Sequence, residues 1–134
     1  FETLRAALAG QPGLNLVDGD SAHGCSGHYC LSVVLDQDLP VSRDEVALRL
    51  RDRGIGTSIY YPHPIPRLSY YAQKYGDCSN RVPHATTISD CSIALPVGPH
   101  LNEDDMEYVA TETNHRIKAL LISRCTKQKW KSIR

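Results

Sequence analysis

The 134-residue sequence lacks several features that would assign it directly to a functional class. Its 15 lysines and arginines equal its 15 aspartates and glutamates, so it has no basic excess with which to bind nucleic acid. It has no apolar run of membrane-spanning length, and we expect no signal peptide. The five cysteines include no Cys-x-x-Cys pair, which favours a cytoplasmic protein with reduced thiols.

The apolar pattern predicts one small domain with short elements. Apolar runs and alternation predict strands at 14–17, 28–36 and 92–95. Three- and four-residue spacing predicts helices from Phe1 to Gly10, at 42–53, from Leu68 to Tyr75, at 84–90 and from Asn102 to Leu121. We expect an α+β fold, in which helices cover one side of a small sheet of three to four short strands.

The strand at 28–36 has the clearest alternation. Tyr29, Leu31 and Val33 are expected on its apolar face, with His28 and Cys30 on the other. Such a pattern is typical of a sheet with one covered face.

Two of the predicted helices have complete start signals. Ser42 precedes Glu45 by three residues, which is the spacing of a capping box, and Asn102 precedes Asp105 in the same way. Gly54 is expected to end the first of these helices, because glycine readily adopts a left-handed backbone.

The two ends of the chain suggest where the domain begins and stops. The first helix starts at Phe1 without a capping residue, which suggests that the chain was cut from a longer protein. The apolar face of the last helix fades after Leu121 into lysines and arginines. We therefore predict one domain at 1–121 and a solvated basic tail at 122–134.

The most informative stretch is residues 57–65, which we call the arm. Proline occupies every second position in and just after it, at Pro62, Pro64 and Pro66. Because proline fixes its own φ and disfavours a helical residue before it, we expect the arm to be stiff and extended through Ile65. The arm would then display Tyr60, Tyr61 and His63 at fixed angles.

Two groups of motifs resemble a known family. The first is Gly-Ile-Gly-Thr-Ser at 54–58, followed by Tyr-Tyr-Pro-x-Pro-Ile and a short helix that carries tyrosines. The second is Pro-His-Ala at 83–85, Ile-Ser at 88–89, Ser-Ile-Ala-Leu-Pro-Val at 92–97 and Leu-Asn-Glu-Asp-Asp at 101–105. In order and spacing they resemble the C-terminal domain of the DegT/DnrJ/StrS aminotransferases.

The resemblance implies a fold and a chemistry. The fold would be that of the C-terminal domain of aspartate-aminotransferase-like enzymes. The family uses pyridoxal phosphate to aminate keto sugars, mostly nucleotide-linked, with an amino donor such as glutamate or glutamine, and its members act as homodimers. The cofactor belongs to a large N-terminal domain that this chain does not contain, so the chain alone is expected to bind no cofactor and to catalyse nothing.

The resemblance also places the arm beside the sugar substrate, with Tyr60, Tyr61 and His63 as contact residues. Tyrosine suits this role because its ring stacks on apolar sugar faces while its hydroxyl forms hydrogen bonds. The family usually reads His-Tyr-Pro-x-Pro-Ile-His here, and this chain has Tyr60 and Pro66 in place of the two histidines. The alternative is that the tyrosines are half-buried strand residues that seal the sheet.

Lys74 follows a serine and two tyrosines, which superficially resembles the family's catalytic lysine motif. A lysine that forms a Schiff base needs an amine whose pKa is lowered, by desolvation or otherwise, so that the unprotonated form exists. Lys74 falls in a short polar helix, so we interpret it as a solvated lysine and assign no catalytic residue.

A possible metal site lies at His23, Cys25, His28 and Cys30, whose side chains are of types that bind zinc. All four lie within eight residues, whereas structural zinc sites pair ligands from two separated segments, so we assign no metal. Two alternative functions stay open: a non-catalytic interaction or oligomerisation domain, and a small zinc-binding protein.

Overall fold

The computed structural model describes residues 1–17, 24 and 26–131, with side chains up to Ile122. The elements in chain order are α1 (Glu2–Leu8), β1 (Leu14–Val17), β2 (Leu31–Leu35), α2 (Arg43–Arg51), α3 (Ser69–Tyr75), α4 (Pro83–Cys91), β3 (Ser92–Leu95) and α5 (Glu103–Lys131). Single turns of 3-10 helix lie at Ile65–Arg67 and Ser79–Arg81. The predicted α+β fold is confirmed.

The three strands form one antiparallel sheet in the order β1-β2-β3. Val33 of β2 lies between Leu16 of β1 and Ile93 of β3, so apolar residues of all three strands share a face. The register follows from the two-residue period, since a slip of one position would turn these side chains to the opposite face.

The predicted strand at 28–36 begins too early. His28 has a φ of +49°, a left-handed conformation that interrupts an extended chain, and β2 starts only at Leu31. Tyr29 therefore does not lie on the buried face, and 78% of its surface is exposed. The prediction that Tyr29 lies on the apolar, covered face of the strand is wrong.

Helices α1, α2 and α5 supply the apolar side chains that join the sheet in one core. α5 packs along both α1 and α2, and α2 also contacts β3. Leu4, Leu8 and Leu50 are fully buried at these contacts, and each such side chain stabilises the fold by about 1.5–3 kcal/mol. The expected covering of one sheet face by helices is confirmed.

The start signals of α2 and α5 behave differently. At α5 the capping box is complete, because Asp105 N donates to Asn102 Oδ1 and Asn102 N donates to Asp105 Oδ2, both at 2.9 Å. At α2, Glu45 N donates to Ser42 Oγ at 3.3 Å, while the Glu45 carboxylate pairs with Arg49 instead. The capping box at α2 is therefore only half formed.

The end of α2 sets the direction in which the chain leaves the core. Gly54 has a φ of +78°, its N–H donates to the Arg51 carbonyl, and Ile55 N donates to the Leu50 carbonyl. These are the two bonds of a Schellman motif. Ile55 is buried in the core, so the chain is fixed on both sides of the glycine before it enters the arm.

Helix α5 runs past the predicted boundary at Leu121 and includes residues 122–131. The chain from Asn102 onward contains neither proline nor glycine, so nothing in its sequence ends the helix where burial stops. The separation of a domain at 1–121 from a tail at 122–134 stays a prediction. Within the described residues, no helix is both long and apolar enough to cross a membrane.

Candidate functional site

The arm lies at the free edge of β3 and is joined to it by one antiparallel bridge. Ser58 N donates to the Ala94 carbonyl at 3.0 Å, and Ala94 N donates to the Ser58 carbonyl at 2.8 Å. The possible fourth strand is thus reduced to one residue. The peptide bond between Tyr60 and Tyr61 is cis.

The end of the arm differs from the prediction. Ile65 is not extended but opens a 3-10 turn, in which Arg67 N donates to the Pro64 carbonyl and Leu68 N donates to the Ile65 carbonyl. Pro66 fits this turn because the first N–H groups of a helix need no partner inside it. Pro64, just before the turn, is extended and buried.

The predicted contact residues lie on the outside of the domain. Tyr60 is 42% exposed, Tyr61 is 75% exposed, and His63 is also exposed. Tyr61 is too exposed for the alternative of a half-buried strand residue, whereas for Tyr60 that alternative stays open. Their role as sugar contacts stays a prediction.

Tyr29 adds a third ring that the sequence did not indicate as part of the site. Its ring lies 6.1 Å from that of Tyr60, and the Tyr60 ring lies 6.1 Å from that of Tyr61 at a steep angle. A shallow pocket of about 220 Å³ lies beside this aromatic cluster. Its lining residues come from the segment just before β2, from Gly56 and the arm, and from the end of β3 with the residues that follow it: Tyr29, Cys30, Gly56, Ser58, Tyr60 and Ala94 to Val97.

The hydroxyl groups of Tyr29 and Tyr60 interact, and the interaction moves their pKa values in opposite directions. A hydrogen bond from Tyr29 lowers the pKa of Tyr60, with a further contribution from Ser58. The same bond raises the pKa of Tyr29. Both shifts follow from one contact between two phenols, since an interaction that stabilises one phenolate makes the other harder to form.

Two buried side chains hold the arm from behind. Ser89 Oγ of α4 donates to the Tyr61 carbonyl at 2.7 Å. Arg43, the first residue of α2, donates through its guanidinium to the Pro62 carbonyl at 3.3 Å and to the Ser89 carbonyl. Neither contact with the arm was predicted from the sequence, because each joins segments far apart in the chain.

Lys74 does not fit the cofactor that the resemblance implies. It is exposed on α3, with its Nζ 5.7 Å from the centre of the Tyr70 ring and 5.2 Å from that of the Tyr75 ring. Lys118 of α5 is exposed as well. Neither amine lies in the buried setting that Schiff-base formation requires, so we derive no step that uses pyridoxal phosphate from these residues.

The possible metal site can be followed only in part, since His23 and Cys25 lie outside the described residues. His28 stacks on the ring of Phe1 at 4.1 Å, and Cys30 Sγ lies 3.7 Å from Ser32 Oγ. Over residues 1–17, 24 and 26–122, no three histidine, cysteine, aspartate or glutamate side chains gather as a metal site would require.

Comparison of the chain with known proteins gives a family match along most of its length. A sequence model of the DegT/DnrJ/EryC1/StrS aminotransferase family matches residues 1–114. The pleiotropic regulatory protein of Geobacillus stearothermophilus is 33% identical over 67 residues, which are 50% of this chain and 18% of that protein. The chain thus spans about a fifth of the length of this curated relative.

Solved structures show the same fold. The aminotransferase TlmJ from Streptoalloteichus hindustanus is 28% identical, with a TM-score of 0.74 over 89% of this chain and 30% of that one. DesI, solved in the presence of its TDP-sugar product, is 23% identical, with a TM-score of 0.77 over 94% of this chain and 32% of that one. The predicted likeness to aminotransferase structures is confirmed.

Proposed function

This chain belongs to the DegT/DnrJ/EryC1/StrS aminotransferase family, and on that premise we propose that it is the small C-terminal domain of an enzyme that aminates a nucleotide-linked keto sugar. The family match over residues 1–114 carries the proposal. The TDP-sugar in the DesI structure supports a nucleotide-linked substrate. An amino donor such as glutamate or glutamine would supply the nitrogen.

Pyridoxal phosphate would be the cofactor of the whole enzyme, because amino transfer needs a carbonyl group that carries the nitrogen between two substrates. Its Schiff-base lysine, phosphate site and pyridinium partner would belong to a larger domain, in keeping with the 30% of TlmJ that this chain covers. By itself the chain would then neither bind the cofactor nor catalyse amino transfer. We further propose that the whole enzyme is a homodimer in the cytoplasm.

The arm would form one wall of the sugar site. The exposed rings of Tyr60 and Tyr61 can stack on the apolar face of a sugar, and the Tyr60 hydroxyl can bond with sugar hydroxyls. The pocket beside Tyr60 is large enough for only part of a nucleotide sugar. His63, on the same exposed segment, would contribute a polar contact.

The proposal is tested first by incubating the purified chain with pyridoxal phosphate, reducing with borohydride and mapping adducts by mass spectrometry. We expect no stoichiometric adduct on any one lysine. A stoichiometric adduct on Lys74 would contradict the proposal, since the chain would then carry a cofactor site of its own.

A second test uses the whole coding sequence. The segment before Phe1 is expected to encode a large domain with a serine-aromatic-lysine motif, and the longer protein is expected to absorb visible light when loaded with pyridoxal phosphate. A longer protein without that lysine would refute the enzyme assignment.

A second candidate function is a non-catalytic interaction or oligomerisation domain. Helix α3 buries none of its residues and exposes Tyr70, Tyr71 and Tyr75, and the curated relative is named a regulatory protein. Sedimentation of the isolated chain, with Tyr71→Ser as the variant and Tyr108→Ser as control, separates the candidates. Self-association that requires Tyr71 favours the second.

A further inference from the structure

Among the described residues, the arm has few backbone attachments to the rest of the domain. After the bridge at Ser58, no backbone–backbone hydrogen bond joins residues 59–63 to another segment. Pro62 has no N–H group, so a regular ladder could not continue through it. Whatever fixes the direction of Tyr60 and Tyr61 must therefore come from side chains.

Two successive carbonyl groups of the arm provide that attachment. The Tyr61 carbonyl accepts the Ser89 hydroxyl at 2.7 Å, and the Pro62 carbonyl accepts the Arg43 guanidinium at 3.3 Å. Arg43 also donates to the Ser89 carbonyl, so the two holding residues are bonded to each other. We call Arg43 and Ser89 the clamp.

Burial indicates that the clamp contacts are built into the fold. The Arg43 side chain is 9% exposed and Ser89 is 5% exposed, although arginine and serine are usually at the surface. A buried guanidinium must find acceptors, and its planar fork can reach two carbonyl groups on separate segments at once. A lysine in its place would have to serve both carbonyl groups from a single nitrogen atom, without the planar fork.

Ser89 of the clamp and the bridge attach the arm at two places to one continuous helix–strand unit. Ser89 lies in α4, which runs without a break into β3, and β3 carries Ala94, the partner of Ser58. Tyr60 lies between these two attachments, and Tyr61 carries the second. Their backbone is therefore held on both sides by the same helix–strand unit.

We propose that Arg43 and Ser89 are positioning residues of the sugar site: they hold the arm at Tyr61 and Pro62 and so direct both tyrosine rings outward. This inference rests on the proposed function, and it extends that function to two residues that touch no substrate.

The first test is hydrogen exchange of the arm, followed by mass spectrometry without any sugar. Because Ser58 carries the arm's N–H group in the bridge to Ala94, Ser89→Ala and Arg43→Lys should each raise exchange at Ser58 about tenfold, while α1 and α5 exchange as before. Ser89→Thr, which keeps the hydroxyl group, should restore protection. Arg49→Lys is the matched control, because Arg49 lies on the same helix and pairs with Glu45 instead of the arm.

Unchanged exchange at the arm in folded Ser89→Ala and Arg43→Lys variants would overturn the inference. If Ser89→Ala does not fold, Arg43→Lys alone still decides, since it keeps the buried charge.

The second test is binding of TDP-glucose, measured from the aromatic resonances of the tyrosines by NMR. The clamp variants should bind several-fold more weakly than the wild type, and Arg49→Lys should bind equally well. An arm that loosens with no loss of TDP-glucose binding would overturn the positioning role. A wild-type chain whose Tyr60 and Tyr61 resonances do not respond to TDP-glucose would instead refute the proposed sugar contact of the arm, whatever the exchange data show.

Discussion

Arg53 and Glu112 form a two-pronged ion pair between the end of α2 and the middle of α5. Arginine Nε and Nη2 each lie 3.2 Å from a different oxygen of the carboxylate, and Arg116 adds a third contact at 2.8 Å. The Tyr108 hydroxyl donates to the Arg53 carbonyl at 3.0 Å. Since Arg53 directly precedes Gly54, these contacts fasten the segment leading to the arm onto the longest helix.

This ion pair should make the stability of the domain depend on pH in the acid range. Arg116 and then Arg53 hold the pKa of Glu112 below its ordinary value of 4.5. A carboxyl group with a lowered pKa in the folded state stabilises above its unfolded pKa, and the contribution is lost as pH falls through the folded value. Glu112→Gln should therefore lower the urea midpoint at pH 7 and reduce its decline below about pH 4.5. Glu107→Gln, an exposed change on the same helix, is the control, and an equal decline in both variants would contradict the prediction.

The N-terminal caps of α5 and α2 should contribute unequally to the free energy of unfolding. Asn102→Ala removes the bond that Asp105 N donates to Asn102 Oδ1 at 2.9 Å and should lower the free energy of unfolding by about 1 kcal/mol, while the Asn102 N–H can still donate to Asp105. Ser42→Ala removes one longer bond and should cost less, on the order of 0.5 kcal/mol. Urea denaturation of both variants measures the difference. A larger loss at Ser42 would contradict this ranking of the two capping bonds.

Gly13 and Gly10 offer a matched pair for separating backbone strain from packing. Both have positive φ, +89° and +69°, but a Cβ on Gly13 would lie 2.8 Å from Cγ2 of the buried Ile117, whereas a Cβ on Gly10 would meet nothing within 4 Å. Gly10→Ala should cost about 1 kcal/mol from the backbone alone. Gly13→Ala should cost a further 1–3 kcal/mol or so from overpacking. Equal losses in the free energy of unfolding, measured by denaturant titration, would mean that α5 shifts away from the added methyl group at no energetic cost.

The interaction between Tyr29 and Tyr60 predicts how the pKa of each changes when the other loses its hydroxyl group. Tyr29→Phe removes the hydroxyl group that interacts with Tyr60, so the pKa of Tyr60 should rise toward its ordinary value of 10.0. Tyr60→Phe should lower the pKa of Tyr29 toward the same value. Ring carbon shifts followed by NMR from pH 8 to about 12 report each residue separately. Tyr75→Phe, on α3, is the control, and it should leave both values unchanged.

Local signals predicted well those parts of the fold that depend on neighbours in sequence. The cap formed by Asn102 and Asp105 and the left-handed turn at Gly54 were both read correctly, because their bonds close within a few residues. The burial of the apolar face of α5 followed from spacing alone.

Two features were missed from the sequence: the exposure of Tyr29 and the burial of Arg43. Tyr29 has the alternation of a core residue, but the left-handed backbone at His28 takes it out of the strand. Arg43 looks like an ordinary first-turn surface residue, and it is buried only because the arm passes over it. The clamp could not be found from spacing, since its three segments meet only after the domain has folded.

The single bridge between Ser58 and Ala94 also limits how far the sheet can extend. An exposed strand edge is a template on which another chain can add a strand and begin aggregation. Here the edge residue Ser58 is followed within a few residues by Pro62 and Pro64, which have no N–H group to donate to an incoming strand. The proline series therefore makes the edge of β3 a poor site for pairing between molecules, while the same segment presents its tyrosines to solvent.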